Sequence, residues 1–450
     1  MVDESSSDSS NHVTQIEQAP PPAEIAAPVT DAERIQSIDA LRGFALLGIL
    51  AMNIMGFCAP FAAYGNPHWN GEATAAEFGT WLGLHMIFDM KMMTIFSMLF
   101  GAGIIIFTER AAQRTGSALG VYYRRMAWLL VIGAAHGYLI WYGDILFNYA
   151  TAGLLLYPAR KLKARTLLIV GAIVMIPAMP LALMNGVQMT EMRNAALEAQ
   201  AIADSGEELT EDQEEAIEDW EENRLFFDPP QEEIDRQIEA HRGSWWEIRK
   251  EHAPGVVMFQ TFYFLLWGAW RLCGVMMIGM GLYKLGVFSA QRSTRFYLLG
   301  ALIGYAIGQS LTWYGVTQFM AHEFDGIMAW TQDFLYNYVG SVFTAFAHVC
   351  VVMLVVRSGL AQSFMRALAA VGRMALTNYL MQSIIATTIF YGYGFNMFAK
   401  WDRPEVMGVV VAIWAFQLII SPIWLSAFRF GPAEWLWRSL TYWRLQPFKR

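Results

Sequence analysis

His136 and Asp144 stand eight residues apart, the first deep in an apolar stretch, the second in the Gly143-Asp144 turn that follows it. An imidazole oriented by a carboxylate is a general base, or a nucleophile that carries a group transiently. An ionisable residue at membrane depth is costly and is a functional candidate by default. Asp144 either orients His136 or pairs with a residue from another helix. Asp39 and Arg42 are three apart and share a helix face, and Asn53 lies about three turns further on roughly the same stripe. Arg42 suits the bidentate grip of a phosphate or carboxylate. Arg124 and Arg125 mark the charged start of the segment that holds His136. Asp89 and Lys91, two apart in an apolar run, are either a structural pair or part of a site. His68, within Asn66-Pro67-His68-Trp69-Asn70-Gly71, is a second candidate base. The chemistry these types allow is anion binding by Arg42, Arg124 and Arg125 with Asp39, Asn53 and Lys91 alongside, and proton transfer at His136 or His68.

Membrane helices must position these groups. The chain has 450 residues, 55% hydrophobic and only 16% charged, against about 25% charged in soluble domains. Ten apolar stretches suit crossings: 38–57, 81–108, 126–142, 145–158, 166–185, 255–288, 296–315, 333–356, 374–395 and 405–428. The 255–288 stretch is too long for one crossing and is expected to break near Arg271 to Gly274. This predicts an all-α polytopic membrane protein of about ten transmembrane helices. Lys and Arg cluster in the loops 109–125 and 159–165, in later turns such as Arg292 and Arg295, and at the C-terminus. All fall on one side of a ten-span arrangement, which makes that side and both termini cytoplasmic.

The domain reading follows. Residues 1–33 read as a disordered cytoplasmic tail. Residues 34–186 hold the N-terminal transmembrane helices and the candidate site. Residues 187–254 form an acidic, helical, periplasmic insertion, with 20 acidic and six basic residues between 187 and 252. It reads as a solvated cap or as a lid over an outward cleft. Residues 255–450 hold the remaining helices and a cytoplasmic interfacial tail. Within them Asn378, Gln382 and Ser383 put a polar face on one span, and the helix begun by Pro432 carries Trp435, Trp437 and Arg438 as an interface anchor or a lid on a cofactor pocket. Cys58, Cys273 and Cys350 are dispersed, with no metal or redox spacing, and no nucleic-acid signature stands out.

The Asp39-Ala-Leu-Arg-Gly43 opening, Leu99-Phe-Gly-Ala-Gly103, His136 with Gly143-Asp144-Ile-Leu, Gly372-Arg-Met-Ala-Leu-Thr-Asn-Tyr-Leu and Gly431-Pro-Ala-Glu-Trp-Leu-Trp-Arg together resemble the YeiB-like family of bacterial inner-membrane proteins, a domain of unknown function. The resemblance spans residues 34–445. That family is grouped with membrane acyltransferases. The opening helix is similar to that of the acyltransferase-3 family, which pairs an Arg with a His eleven residues on. Arg42 matches the Arg, but Asn53 stands at the His position and cannot act as a base. The helix is closer to heparan-alpha-glucosaminide N-acetyltransferase, whose Arg-Gly helix ends in Asn before a loop with His ahead of Trp-Asn-Gly; His68-Trp69-Asn70-Gly71 is similar, with the His spacing different by two residues.

The resemblance implies a bacterial inner-membrane acyltransferase. It takes an acyl group, acetyl foremost, from cytoplasmic acyl-CoA and passes it to an envelope glycan, lipid or small molecule. The phosphates are expected near Arg42, Arg124 and Arg125, and the acyl group in a polar midplane cavity lined by Lys91, His136 and Asn53. No metal is called for. The lipid bilayer is the expected surrounding, and a homodimer is left open. The rival readings are a transporter or channel using the same cavity, against which the absence of internal symmetry counts, and a non-catalytic partner in an envelope assembly.

Overall fold

The computed structural model describes residues 36–450 apart from 330, 332 and 333, and without the side chains of 115, 226 and 227. The expected tail 1–33 lies outside the described residues. The described chain is helical, with an isolated bridge between Phe428 and Lys449. Helices occupy all ten of the apolar stretches, and among the described residues six helical segments are long and apolar enough by themselves to cross a bilayer.

The first of these, α1 (Gln36–Cys58), is the hub. Its apolar window is 83% buried inside protein, against 28% for Ala164–Ser205 and for Arg403–Ala427. A helix that apolar and that enclosed takes the centre of a bundle, and the less enclosed ones meet lipid. Around α1 pack α3 (Lys91–Thr115), α14 (Gln362–Arg373), α15 (Ala375–Phe390) and α16 (Arg403–Ala427). Two glycines set the closest crossing: a Cβ on Gly43 would strike the Leu368 carbonyl, and one on Gly372 would strike the Asp39 carbonyl. Small residues let membrane helices approach to backbone contact. The same device joins α3 to α11 (Ala269–Lys284), where Gly101 meets the Met276 carbonyl and Gly279 meets Met98.

The connecting elements follow in order. α2 (Ala75–Ile87) precedes α3, and α4 (Leu119–Leu139) pairs with the short α5 (Leu146–Leu156). α6 (Ala164–Met175) and α7 (Ala178–Ser205) run into the acidic insertion, which is helical: α8 (Glu211–Phe227), α9 (Gln231–His241) and the start of α10 (Trp245–Gln260). α12 (Thr294–Ala321) packs along α13 (Phe334–Ser358), and α17 (Pro432–Tyr442) ends the helical chain. Leu298 and Leu302 on α12, and Val411 and Ile419 on α16, are exposed and apolar, as a bilayer-facing surface requires.

The break in the 255–288 stretch is displaced from its expected place. Arg271 and Gly274 lie in regular α11, and the irregular turn is a π-helical segment at Phe264–Gly268. The reason is that Arg271 is fully engaged from the helix. It donates to the Tyr338 carbonyl at 2.7 Å, Thr94 Oγ1 at 2.8 Å and Ser341 Oγ at 2.7 Å.

Candidate functional site

The site is a cavity of about 270 Å³ between α1, α3, α4, α15 and α17. Along α1 it runs from Asp39 to Ile49, about 15 Å of helix. Five half-buried arginines, Arg42, Arg110, Arg125, Arg373 and Arg438, line it together with Asp39 and Glu434. Further in, the wall is apolar and aromatic, with Leu46, Phe96, Leu99 and Leu129, and ends on Tyr149, Ile145 and Tyr379. A cationic end continuous with an apolar bore matches an amphiphile with an anionic head.

Sequence explains the cationic end locally. Arg42 Nη1 holds Asp39 Oδ1 at 2.8 Å, one helical turn back. Arg125 lies over the Trp437 ring at 3.6 Å and the Phe107 ring at 5.0 Å, so its charge is kept at the cavity by cation–π contact. Glu434 caps α15: its Oε1 accepts from the Leu376 and Thr377 amides at 2.6 and 3.1 Å, and its Oε2 from the Thr377 hydroxyl. That fixes α17 across the cavity with Trp437, Arg438 and Tyr442 on its lining. Arg124 is absent from the lining. It donates to the Thr441 carbonyl at 3.1 Å and stacks over Trp443 at 4.6 Å, and so holds α17 down.

Behind the inner wall stands the His136–Asp144 pair. His136 Nδ1 is 2.8 Å from Asp144 Oδ1, and His136 Nε2 is 2.9 Å from Ser383 Oγ. His136, Asp144 and Ser383 are 1%, 5% and 1% exposed. Asp144 Oδ2 accepts the Phe147 amide at 2.8 Å and so fixes the start of α5. The pair forms by chain reversal: α4 ends at Leu139 and α5 begins at Leu146, so the eight-residue spacing is not two turns of one helix. Both flanks adjoin the cavity. Ile145 and Leu146 follow Asp144 onto its wall, and Tyr379, one turn before Ser383, has its ring 5.1 Å from the imidazole.

The remaining sequence-predicted residues sit elsewhere. The cavity expected to be lined by Lys91, His136 and Asn53 has none of the three on its lining. Asn53 is one turn past Ile49 on α1, beyond the inner end. Lys91 is fully buried and spent on the helix break. Met90 adopts the left-handed region at φ 58°, and Lys91 Nζ bonds the His85 carbonyl at 2.7 Å and Asn337 Oδ1 at 2.6 Å. Asn337 Nδ2 in turn donates to Asp89 Oδ2 at 2.7 Å. His68 lies in a loop where its Nδ1 accepts the Ala73 amide at 3.2 Å and its ring rests 4.8 Å from Phe324. Sequence reasoning missed Arg110, Arg373, Tyr149 and Tyr379. Glu434, Trp437 and Arg438 share a helix face at i, i+3, i+4 spacing, a signal that was readable.

The acidic insertion also holds a buried cluster. His252 Nε2 meets His241 Nε2 at 2.7 Å, His241 stacks on Phe398 at 4.1 Å, and Arg249 Nη2 is 3.2 Å from His252 Nδ1. Burial lowers His241 from 6.5 to about 4. The sign follows from linkage: below 6.5 the unfolded imidazole takes up a proton that the folded one refuses until about pH 4. The folded state therefore loses stability as pH falls from 6.5 to about 4 and gains nothing back below it. Thermal unfolding in detergent across that window should show a falling midpoint, shallower in His241→Gln. Equal slopes in the two proteins would remove His241 as the source.

These features define the class: a polytopic, all-helical membrane protein with an arginine-lined cavity backed by a buried His–Asp pair. The chain belongs to the YeiB-like family. It is 30% identical over 413 residues to the uncharacterized protein YeiB of Escherichia coli (strain K12), covering 91% of this chain and 96% of that one. It is 30% identical over 430 residues to the uncharacterized protein YxaH of Bacillus subtilis (strain 168), covering 94% and 98%. A family model described as a protein of unknown function (DUF418) matches residues 282–444, the part that supplies Arg373, Tyr379, Glu434 and Arg438 to the cavity. No solved structure matches.

Proposed function

We propose that the protein is an acyltransferase of the bacterial inner membrane, crossing it ten times with both termini in the cytoplasm. Acyl-CoA enters from the cytoplasm at the arginine-lined end of the cavity. Arg42 and Arg125 hold its phosphates, and the thioester reaches the inner wall at Tyr379. His136 takes the proton of an acceptor hydroxyl or amine, and Asp144 holds the imidazole in the tautomer that can accept it. The acceptor is an envelope glycan, lipid or small molecule that meets the pair from the far side. The observation that carries this reading is a cavity of five arginines and an apolar bore whose inner wall at Tyr379, Ile145 and Leu146 adjoins the buried His136–Asp144 pair.

The test is acetyl-CoA binding and thiol release by the purified protein in nanodiscs. Arg42→Ala with Arg125→Ala is expected to weaken acetyl-CoA binding by at least about a hundred-fold, since each charge-assisted contact contributes roughly 1.5–3 kcal/mol. The effect should fall on KM and dissociation rather than on turnover at saturation. A wild-type protein that neither binds nor cleaves acetyl- or longer acyl-CoA sinks the reading.

One observation favours a second reading, a small-solute transporter. The helical segment Ala75–Arg114 is broken at Met90, beside buried Asp89, Lys91 and Asn337. Discontinuous helices with buried charges are a mark of transport sites. Solute accumulation in proteoliposomes, lost in Lys91→Met with acyl-CoA turnover absent throughout, would select it.

A further inference from the structure

We infer that Ser383 is the nucleophile of this site and carries the acyl group as an ester between donor and acceptor. The inference rests on the acyltransferase reading and adds a residue and an intermediate to it. Ser383 Oγ lies 2.9 Å from His136 Nε2, and His136 Nδ1 lies 2.8 Å from Asp144 Oδ1. With the carboxylate accepting at Nδ1, the imidazole keeps Nε2 as the acceptor for the serine hydroxyl, the order of a serine–histidine–aspartate relay. Three separate elements build it: α15 gives the serine, α4 the histidine and the turn before α5 the aspartate. The relay sits directly behind the inner end of the cavity, with Tyr379 between them. The Tyr379 hydroxyl is buried and approaches the Ile145 backbone without a hydrogen bond of good geometry, so it is a donor placed where a thioester carbonyl would arrive. The proposed transfer requires the Tyr379 side chain to rotate, which would open the cavity to Ser383 and turn that hydroxyl toward the carbonyl oxygen.

The step balances without a co-reactant. Ser383 Oγ bonds the thioester carbonyl carbon as its proton passes to His136 Nε2. The C–S bond breaks, and the departing sulfur takes that proton to leave as CoA thiol. An acceptor hydroxyl or amine then attacks the serine ester. Its proton goes to His136, the Oγ–C bond breaks, and Ser383 regains the proton.

The experiment uses the full-length protein in nanodiscs with acetyl-CoA carrying a radiolabelled acetyl group, quenched in acid, together with a fluorophosphonate probe. The expected result is label on the peptide that holds Ser383, stable in acid and released by alkaline hydroxylamine. Fluorophosphonate should modify the same residue in the wild type and fail to do so in His136→Gln. Ser383→Cys, a near-isosteric change expected to keep the fold, should carry the label as a thioester cleaved by neutral hydroxylamine. Ser383→Ala should lose the label and about a thousand-fold in transfer. Transfer at the wild-type rate by Ser383→Ala, or label on another residue, overturns the inference and leaves the acyltransferase reading standing. Fluorophosphonate modification of Ser383 without any acyl-CoA cleavage overturns the donor assignment and keeps Ser383 as an activated nucleophile. Neither cleavage nor modification overturns both.

Discussion

Replacing His136 by glutamine is expected to lower acyl transfer by about three orders of magnitude while leaving acyl-CoA binding within a few-fold of the wild type. Glutamine fills the same region and can still bond Asp144 or Ser383, so the carboxylate is not left unpaired in the bundle. That matters because truncation to alanine would strand a buried charge, at a cost of roughly 3–5 kcal/mol. Such a loss would be read mistakenly as loss of activity. What glutamine cannot do is take a proton. Asp144→Asn should bring a loss of similar size for a different reason, because an amide that donates toward Nδ1 enforces the wrong tautomer. The two losses should not add in the double variant, since the residues act as a unit. His68→Ala is expected to stay within about two-fold, because His68 is held in its loop by the Ala73 amide and does not line the cavity. Thiol release from acetyl-CoA measures all four proteins. A His136→Gln protein with full activity ends the role assigned to the pair.

The second large effect concerns folding. Gly372→Ala is expected to cut the yield of folded protein severely and lower the unfolding midpoint of what remains. Its methyl group would occupy the place of the Asp39 carbonyl, and the backbones of α1 and α14 have no side-chain slack to absorb it. Overpacking of this kind typically costs 1–3 kcal/mol, a large share of a total stability of roughly 5–15 kcal/mol. Gly43→Ala meets the Leu368 carbonyl on the same crossing and should behave alike. The displacement is also expected to reach the cavity, because Asp39 is the residue struck and its carboxylate positions Arg42. Folded Gly372→Ala protein should thus bind acetyl-CoA more weakly. A monodisperse variant with an unchanged midpoint and affinity would mean that the helices separate freely at this crossing.

Hydropathy located the helices well, because twenty apolar residues have few alternatives in a bilayer. The His136–Asp144 pairing was legible as a possibility, because the Gly143-Asp144 turn returns the chain toward the histidine. Arg42 could be placed at the charged end of a membrane helix by pattern alone. Its cavity companions Arg373 and Arg438 could not, because periodicity tells which residues share a face and not which distant face opposes them. Ser383 was visible as part of a polar stripe, but nothing local named His136 as its partner 247 residues away. Lys91 could not be placed away from the cavity by pattern, because one of its acceptors, Asn337, lies 246 residues on. The left-handed Met90 gave no sign, since no glycine marks the break. The buried His241–His252 contact was hidden by the acidic residues around it, which made the whole insertion look solvated.

The crossing of α1 with α14 carries a consequence for biosynthesis. α1 is enclosed in part by helices made much later: roughly 330 residues separate Gly43 from Gly372. At 5–20 residues per second, synthesis of the intervening chain takes roughly 15–65 s. Throughout that time α1 keeps its surface at Gly43 uncovered, while Asp39 and Arg42 hold each other within one helical turn. The one-turn ion pair then neutralises the two charges before α14 and α17 bring Gly372, Arg373 and Arg438 to that end of the cavity, and the Arg42 side chain can snorkel to the lipid headgroups. The contact that later shapes one end of the cavity is therefore also what makes the nascent helix tolerable in lipid before the rest of the protein exists.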